Sequence, residues 1–221
     1  MTTTTEICSQ VAQAIARSPI VGVVRTSTYD EAARQARALA AAGIELVEVT
    51  FTVPRASRLV AELIAEREAA GRSAQPFFGL GTVTTAARAR EAVATGAEFL
   101  VTPNTAVAVG EAARRAELFL IMGALTPTEV CTAAESGADL VKIFPLPPIG
   151  GPAYLRTIRG PLSDIPMLAA GGFPMDDIPA YRAAGASAFN LAGPLLGTDL
   201  PSTEERRQRV ARALALARGH E

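Results

Sequence analysis

Short apolar runs alternate along the chain with longer stretches in which apolar positions recur at helical spacing. PIVGVV precedes a helical pattern from Asp30 to Ala42, ELVEVTF one from Ala56 to Ala70, and PFFGLG one from Thr85 to Thr95. Each pair reads as a strand followed by a helix, a period of two giving way to one of about 3.6. EFLVTP then leads to a helix near Ala106 to Arg115, LFLIMG to one over Pro127 to Ser136, and DLVKIFP to one over Pro152 to Arg159. IPMLAAGG with Met175 to Ala184, and ASAFNLAG with Ser202 to Arg218, complete eight such units, behind an N-terminal helix near Glu6 to Arg17.

Gly43, Gly96, Gly137 and Gly185 stand where helical patterns stop and the next strand is a few residues away, which suits the left-handed backbone that closes helices. Eight strands separated by single helices, with no chain left for a second domain, predict one (β/α)8 TIM barrel over residues 1–221, with the N-terminal helix ahead of it. An open doubly wound sheet is the alternative. In a barrel, chemistry belongs at the C-terminal ends of the strands and in the loops after them.

Composition narrows the function. The 221 residues are 49% hydrophobic and 19% charged, with a formal net charge of −1 and the arginines scattered. That gives no electrostatic footprint for nucleic acid or an anionic membrane, so a small molecule is the expected partner. MTTTTEICSQ lacks the basic-then-apolar order of a signal peptide, and no apolar run approaches the roughly 18 residues of a membrane span, so a cytoplasmic protein is expected. Cys8 and Cys131 are too few and too far apart for a disulfide framework or a thiolate metal site. The sole histidine, His220, is one residue from the end, which removes Ser-His-Asp hydrolases and histidine-ligated zinc. Nothing clusters Asp and Glu at ligand spacing for magnesium. Neither a metal nor an organic cofactor is expected.

Of the 21 cationic residues only Lys142 is a lysine. A guanidinium stays protonated, whereas an amine can lose its proton and become a nucleophile. Lys142 lies within DLVKIFP, where alternation puts Leu140, Lys142 and Phe144 on one face. If that face lines the barrel interior, dehydration lowers the amine's pKa and yields the form that attacks a ketone. A buried lysine held in a structural ion pair is the alternative. Glu48, in ELVEVTF with Leu46 and Thr50 on its face, can reach across a narrow barrel and act as general acid and base; a structural salt bridge with Lys142 or Arg25 is its alternative. Arg25 follows PIVGVV and can grip a carboxylate with two N–H groups. Thr82 closes GLGT and can offer a hydroxyl, unless it is a turn residue. Gly171, Gly172 and Gly193 follow the last two strands, where barrels bind phosphate through backbone N–H groups.

At these residues the chain resembles the family of 2-keto-3-deoxy-6-phosphogluconate (KDPG) and 4-hydroxy-2-oxoglutarate aldolases, class I lyases that also include the 6-phosphogalactonate aldolases. The stretches AAGIELVEVTFTVPRA, GLGTVTTAARAREAVATGAEFLVTPN, GADLVKIFP, IRGPL and AAGGF occur in the family's order and spacing. The resemblance implies Lys142 as Schiff-base lysine, Glu48 as proton shuttle, and Arg25 and Thr82 as contacts for the pyruvate carboxylate. It further implies Pro103 and Phe144 as pocket walls, Gly171, Gly172 and Gly193 as phosphate-binding backbone, and a homotrimer of barrels. The implied activity is retro-aldol cleavage of a 2-keto-3-deoxy sugar acid, KDPG above all, to pyruvate and glyceraldehyde 3-phosphate, as in the Entner–Doudoroff pathway of carbohydrate metabolism.

The chain departs from the family pattern at the phosphate end. Ala170 stands where the family usually has threonine before the double glycine, and Pro194 where it has serine after the last glycine; Pro194 also lacks an N–H. An unphosphorylated or shorter keto acid, such as 4-hydroxy-2-oxoglutarate, is therefore the rival substrate. A non-catalytic binding or assembly protein on the same scaffold is the rival from another class.

Overall fold

The computed structural model describes residues 3–71, 75–199 and 202–219; His220 and the first two residues lie outside them. Eight parallel strands close into a barrel in sequence order: β1 (Ile20–Val24), β2 (Leu46–Thr50), β3 (Phe77–Gly81), β4 (Phe99–Val101), β5 (Phe119–Ala124), β6 (Leu140–Ile143), β7 (Met167–Ala169) and β8 (Ala188–Ala192). Closure is made by β1 pairing with β8, with Ile20 against Phe189 and Val23 against Ala192. That pairing excludes the open doubly wound sheet.

One α-helix precedes the first strand and one follows each strand: α1 (Thr4–Arg17), α2 (Tyr29–Ala42), α3 (Ala56–Ala69), α4 (Ala86–Thr95), α5 (Val107–Arg115), α6 (Pro127–Glu135), α7 (Gly151–Arg159), α8 (Ile178–Ala183) and α9 (Thr203–Arg218). Thr28, Thr85, Thr126 and Ser202 each accept a backbone N–H at a helix start, satisfying donors that the helix itself leaves unpaired. Gly43 and Gly96 end α2 and α4 at φ of 99° and 83°, a conformation that costs a side-chain-bearing residue energy. The helix expected over Met175 to Ala184 is in two parts, a 3-10 turn at Met175–Asp177 and then α8. Pro179 is the cause: without an N–H it fits the first turn of a helix but not its interior.

The apolar side chains form two layers. Val47, Val49, Val141 and Ile143 face outward into the core between strands and helices. Leu46, Phe77, Phe99, Val101, Phe119, Ile121, Leu140 and Leu168 fill the barrel interior. Val11 and Ala14 of α1 are buried in that inner layer, with Ile7, Cys8 and Ile15 packed against it. Those five positions share one face of α1 at the 3.6-residue period, so α1 plugs the N-terminal mouth of the barrel. A fully buried valine such as Val11 contributes about 1.5–3 kcal/mol. With that mouth closed, the C-terminal end is the way in. Among the described residues no helix is long and apolar enough to cross a membrane.

Candidate active site

The inner layer changes character toward the C-terminal end. On β6 the inward residues run Leu140, Lys142 and then Phe144 just past the strand; Leu140 and Phe144 belong to the interior cluster, so alternation places Lys142 there too. Lys142 is 5% exposed, and its Nζ lies 5.3 Å from the centre of the Phe144 ring. Among the described residues it forms no hydrogen bond or ion pair. Burial pushes its pKa below the ordinary lysine range, the Glu48 charge pulls it partly back, and the Arg25 charge adds to the lowering. The result is an amine held closer to its uncharged, nucleophilic form.

Glu48 occupies the corresponding level of β2 and is 1% exposed. Room for it comes from Gly81 of β3. Glu48 is the register partner of Gly79, and Thr50 that of Gly81. A Cβ added at Gly81 would overlap the Glu48 carboxylate, and one at Gly79 would lie 2.6 Å from the Phe99 ring. Among the described residues the carboxylate has a single hydrogen bond, from Asn190 Nδ2 to Oε2 at 3.0 Å. Glu48 forms no ion pair within 4.0 Å with Lys142, Arg25 or any other described cation. The structural salt bridges held open as alternatives for both residues are absent among the described residues.

A second buried carboxylate shows what a purely structural one looks like in this fold. Glu98, at the entrance to β4, is 4% exposed. Both its oxygens accept from Arg67 Nη1 at 2.8 Å, Oε2 also accepts from the Phe78 amide, and Arg67 donates to the Pro76 carbonyl as well. That pair sits at the barrel's N-terminal end; the carboxylate holds three hydrogen bonds, although Arg67 Nε has no partner among the described residues. Glu48 and Lys142, at the other end, are left almost without partners, an arrangement that costs folding energy and marks both as candidates for a functional role.

The remaining sequence-derived residues ring the same end. Arg25 directly follows β1 and is exposed; Thr50 on β2 steadies that strand end by donating to the Val24 carbonyl at 3.2 Å. Thr82 follows β3 at φ 60°, an uncommon conformation for a β-branched residue that calls for support. Arg88 supplies it, donating to the Thr82 carbonyl at 3.1 Å, while its guanidinium lies 5.3 Å from the centre of the Phe51 ring. Pro103 follows β4 in a turn pinned from both sides: Thr102 accepts from the Gly123 amide and donates to the Asn104 carbonyl, and Thr105 donates to the Gly123 carbonyl. Gly123 is itself the register partner of Lys142.

Gly171 and Gly172 follow β7 at φ of 136° and 80°. A Cβ on Gly171 would lie 2.6 Å from Pro147 Cδ and 2.9 Å from the Leu146 nitrogen, so both backbone angle and space require glycine there. Gly193 follows β8, its carbonyl accepting from the Thr198 amide at 3.1 Å; a Cβ there would approach Gln35 and Thr198. Ala170, before the double glycine, is fully buried in the inner layer.

Sequence reasoning missed Asn190 and the spatial reason for the β3 glycines. The signal for Asn190 was present: it is the only polar residue in AFNLA, alternating with two alanines, which is the argument that singled out Glu48 and Lys142. Among the described residues no group of three or more His, Cys, Asp or Glu could hold a metal ion.

An interior lysine stripped of partners and a lone interior carboxylate, at the open end of a (β/α)8 barrel, form an arrangement suited to imine chemistry on a ketone. Known proteins carry the same combination of sequence blocks and fold. Residues 11–210 match the family described as KDPG and KHG aldolase. The 2-dehydro-3-deoxy-phosphogluconate aldolase of Treponema pallidum (strain Nichols) is 30% identical over 171 residues, 77% of this chain and 79% of the relative. The 2-dehydro-3-deoxy-6-phosphogalactonate aldolase of Escherichia coli (strain K12) is 30% identical over 198 residues, 89% of this chain and 91% of the relative. A solved structure described as native KDPGal is 28% identical and superposes with a TM-score of 0.79, covering 91% of this chain and 95% of that one. The chain belongs to the KDPG and KHG aldolase family, and is an aldolase.

Proposed function

We propose that this aldolase cleaves a 2-keto-3-deoxy sugar acid, KDPG in the first instance, to pyruvate and an aldehyde, glyceraldehyde 3-phosphate, through a Schiff base on Lys142. One observation carries the reading: Lys142 is buried in the barrel interior, unpaired, with its pKa lowered chiefly by that burial.

The steps follow from the groups at the site. The Lys142 amine adds to the C2 carbonyl, and the carbinolamine takes up one proton as its hydroxyl leaves as water, giving an iminium; the final hydrolysis to ketone and free amine returns that proton. The C4 hydroxyl gives its proton to the Glu48 carboxylate as the C3–C4 bond breaks. The bond's electron pair flows into the iminium, leaving an enamine and releasing the aldehyde. Glu48, now protonated, returns the proton to C3, and water frees pyruvate from the lysine. Arg25 and the Thr82 hydroxyl hold the substrate carboxylate, Pro103 and Phe144 wall the pocket, and the Gly171, Gly172 and Gly193 backbone receives the phosphate. Family resemblance supports assembly as a homotrimer and a cytoplasmic setting.

The second reading, an unphosphorylated or shorter substrate such as 4-hydroxy-2-oxoglutarate, is favoured by Ala170, whose buried methyl leaves no hydroxyl beside the Gly171–Gly172 turn. A panel of phosphorylated and unphosphorylated 2-keto-3-deoxy acids, read by pyruvate release, tests both readings. Release confined to the phosphorylated acids supports the first reading, and comparable release from the unphosphorylated ones the second.

A further inference from the structure

The bond from Asn190 to Glu48 crosses a whole strand. Asn190 on β8 is the register partner of Val21, and Glu48 on β2 that of Val23, so the contact reaches over β1 through the barrel interior. An ionised carboxylate only accepts hydrogen bonds, so the amide must present its NH2 group and not its oxygen. The two carboxylate oxygens are thereby distinguished. Oε2 accepts a hydrogen bond from Asn190 Nδ2, while Oε1 lies in the space kept open by Gly81. Without Asn190 the carboxylate would have no hydrogen-bonding partner among the described residues and would turn freely about its last torsion.

We propose that Asn190 is a positioning residue for proton transfer: its amide fixes the rotation of the Glu48 carboxylate, so that one oxygen is held and the other is left to exchange a proton with the substrate. The proposal rests on the reading of Lys142 and Glu48 given above. The step concerned is the reversible transfer of one proton between C3 of the pyruvate iminium on Lys142 and Glu48. Iminium and carboxylate become enamine and carboxylic acid, and the reverse step restores both. Neither an aldehyde nor any other reagent takes part.

That step is read in isolation by incubating the enzyme with pyruvate in D2O and following exchange of the methyl protons by NMR, beside the yield of reduced pyruvate adduct on Lys142. In Asn190→Ala the exchange rate and kcat are expected to fall roughly tenfold or more, the worth of one hydrogen bond to a charged group, with adduct yield and KM near wild type. In Asn190→Asp the donor becomes a second carboxylate facing Glu48. A proton shared by the two should move the acid limb of the exchange profile up by about one pH unit or more, a change that loosened packing does not produce. Asn190→Ser serves the same comparison if the alanine variant fails to fold. Unchanged exchange and an unmoved acid limb in folded variants would overturn the proposal, as would equal losses of adduct and exchange. Wild-type protein showing neither adduct nor exchange overturns the Schiff-base reading itself; wild-type protein showing both, beside unaffected variants, overturns the role of Asn190 alone.

Discussion

The Glu48 carboxylate occupies the volume that a side chain on Gly81 would fill. One strand thus makes room for the charge on its neighbour, and the inner face of β3 is bare of side chains at Gly79 and Gly81 alike. Gly81→Ala should therefore displace the carboxylate and cost roughly 1–3 kcal/mol of stability through overpacking. Turnover should fall about 100-fold while pyruvate adduct formation on Lys142 persists. Thermal melting and steady-state kinetics on the same preparation check this; a variant with wild-type turnover would show that Glu48 need not sit where it does.

Glu48→Gln keeps the shape and removes the exchangeable proton. Turnover is expected to drop roughly 100-fold or more, with imine formation slowed but still detectable. Near-wild-type turnover would return Glu48 to a structural role.

Burial lowers the Lys142 pKa, which has consequences for both rate and stability. Capture of pyruvate needs the free amine, so its rate should climb with pH and level off below the ordinary lysine range. Stability follows the same sign. Between the lowered folded pKa and the unfolded value, the unfolded chain binds more protons, so stability rises with pH across that window. Wild type should gain stability relative to Lys142→Met as pH is raised above neutrality, measured by urea unfolding at each pH. A constant difference would mean that the folded and unfolded pKa values coincide.

The barrel was legible because each signal was local and repeated: eight runs with alternating or continuous apolar character, each followed by a helical period and often a closing glycine. Lys142 and Glu48 were legible because a charge within an apolar strand contradicts its surroundings. Asn190 was less conspicuous, since a single amide between alanines has many uses and its partner lies 142 residues away in sequence. The division of Met175 to Ala184 into two helical pieces was missed because the helical period continues through Pro179, while the missing N–H decides where the α-helix begins.

Ala170 bears on the substrate. Two hydrogen bonds to a charged oxygen, at about 1.5–3 kcal/mol each, amount to roughly two to four orders of magnitude in binding. With Ala170 and Pro194 in the places of two hydroxyls, phosphate should improve kcat/KM by less than about a thousandfold over the unphosphorylated analogue. A larger ratio in paired kinetic assays would locate the phosphate grip elsewhere than the glycine backbone.

The most direct test uses the single lysine. Reducing the wild-type enzyme with borohydride in the presence of pyruvate should inactivate it and add one pyruvate-derived mass per subunit. Peptide mapping should place that mass on Lys142, the N-terminal amine being the only competing primary amine in the sequence. Lys142→Arg should lose both adduct and activity, because a protonated guanidinium cannot attack the ketone. Aldol cleavage by the arginine variant, or a label confined to the N-terminus of the wild type, would contradict the Schiff-base mechanism.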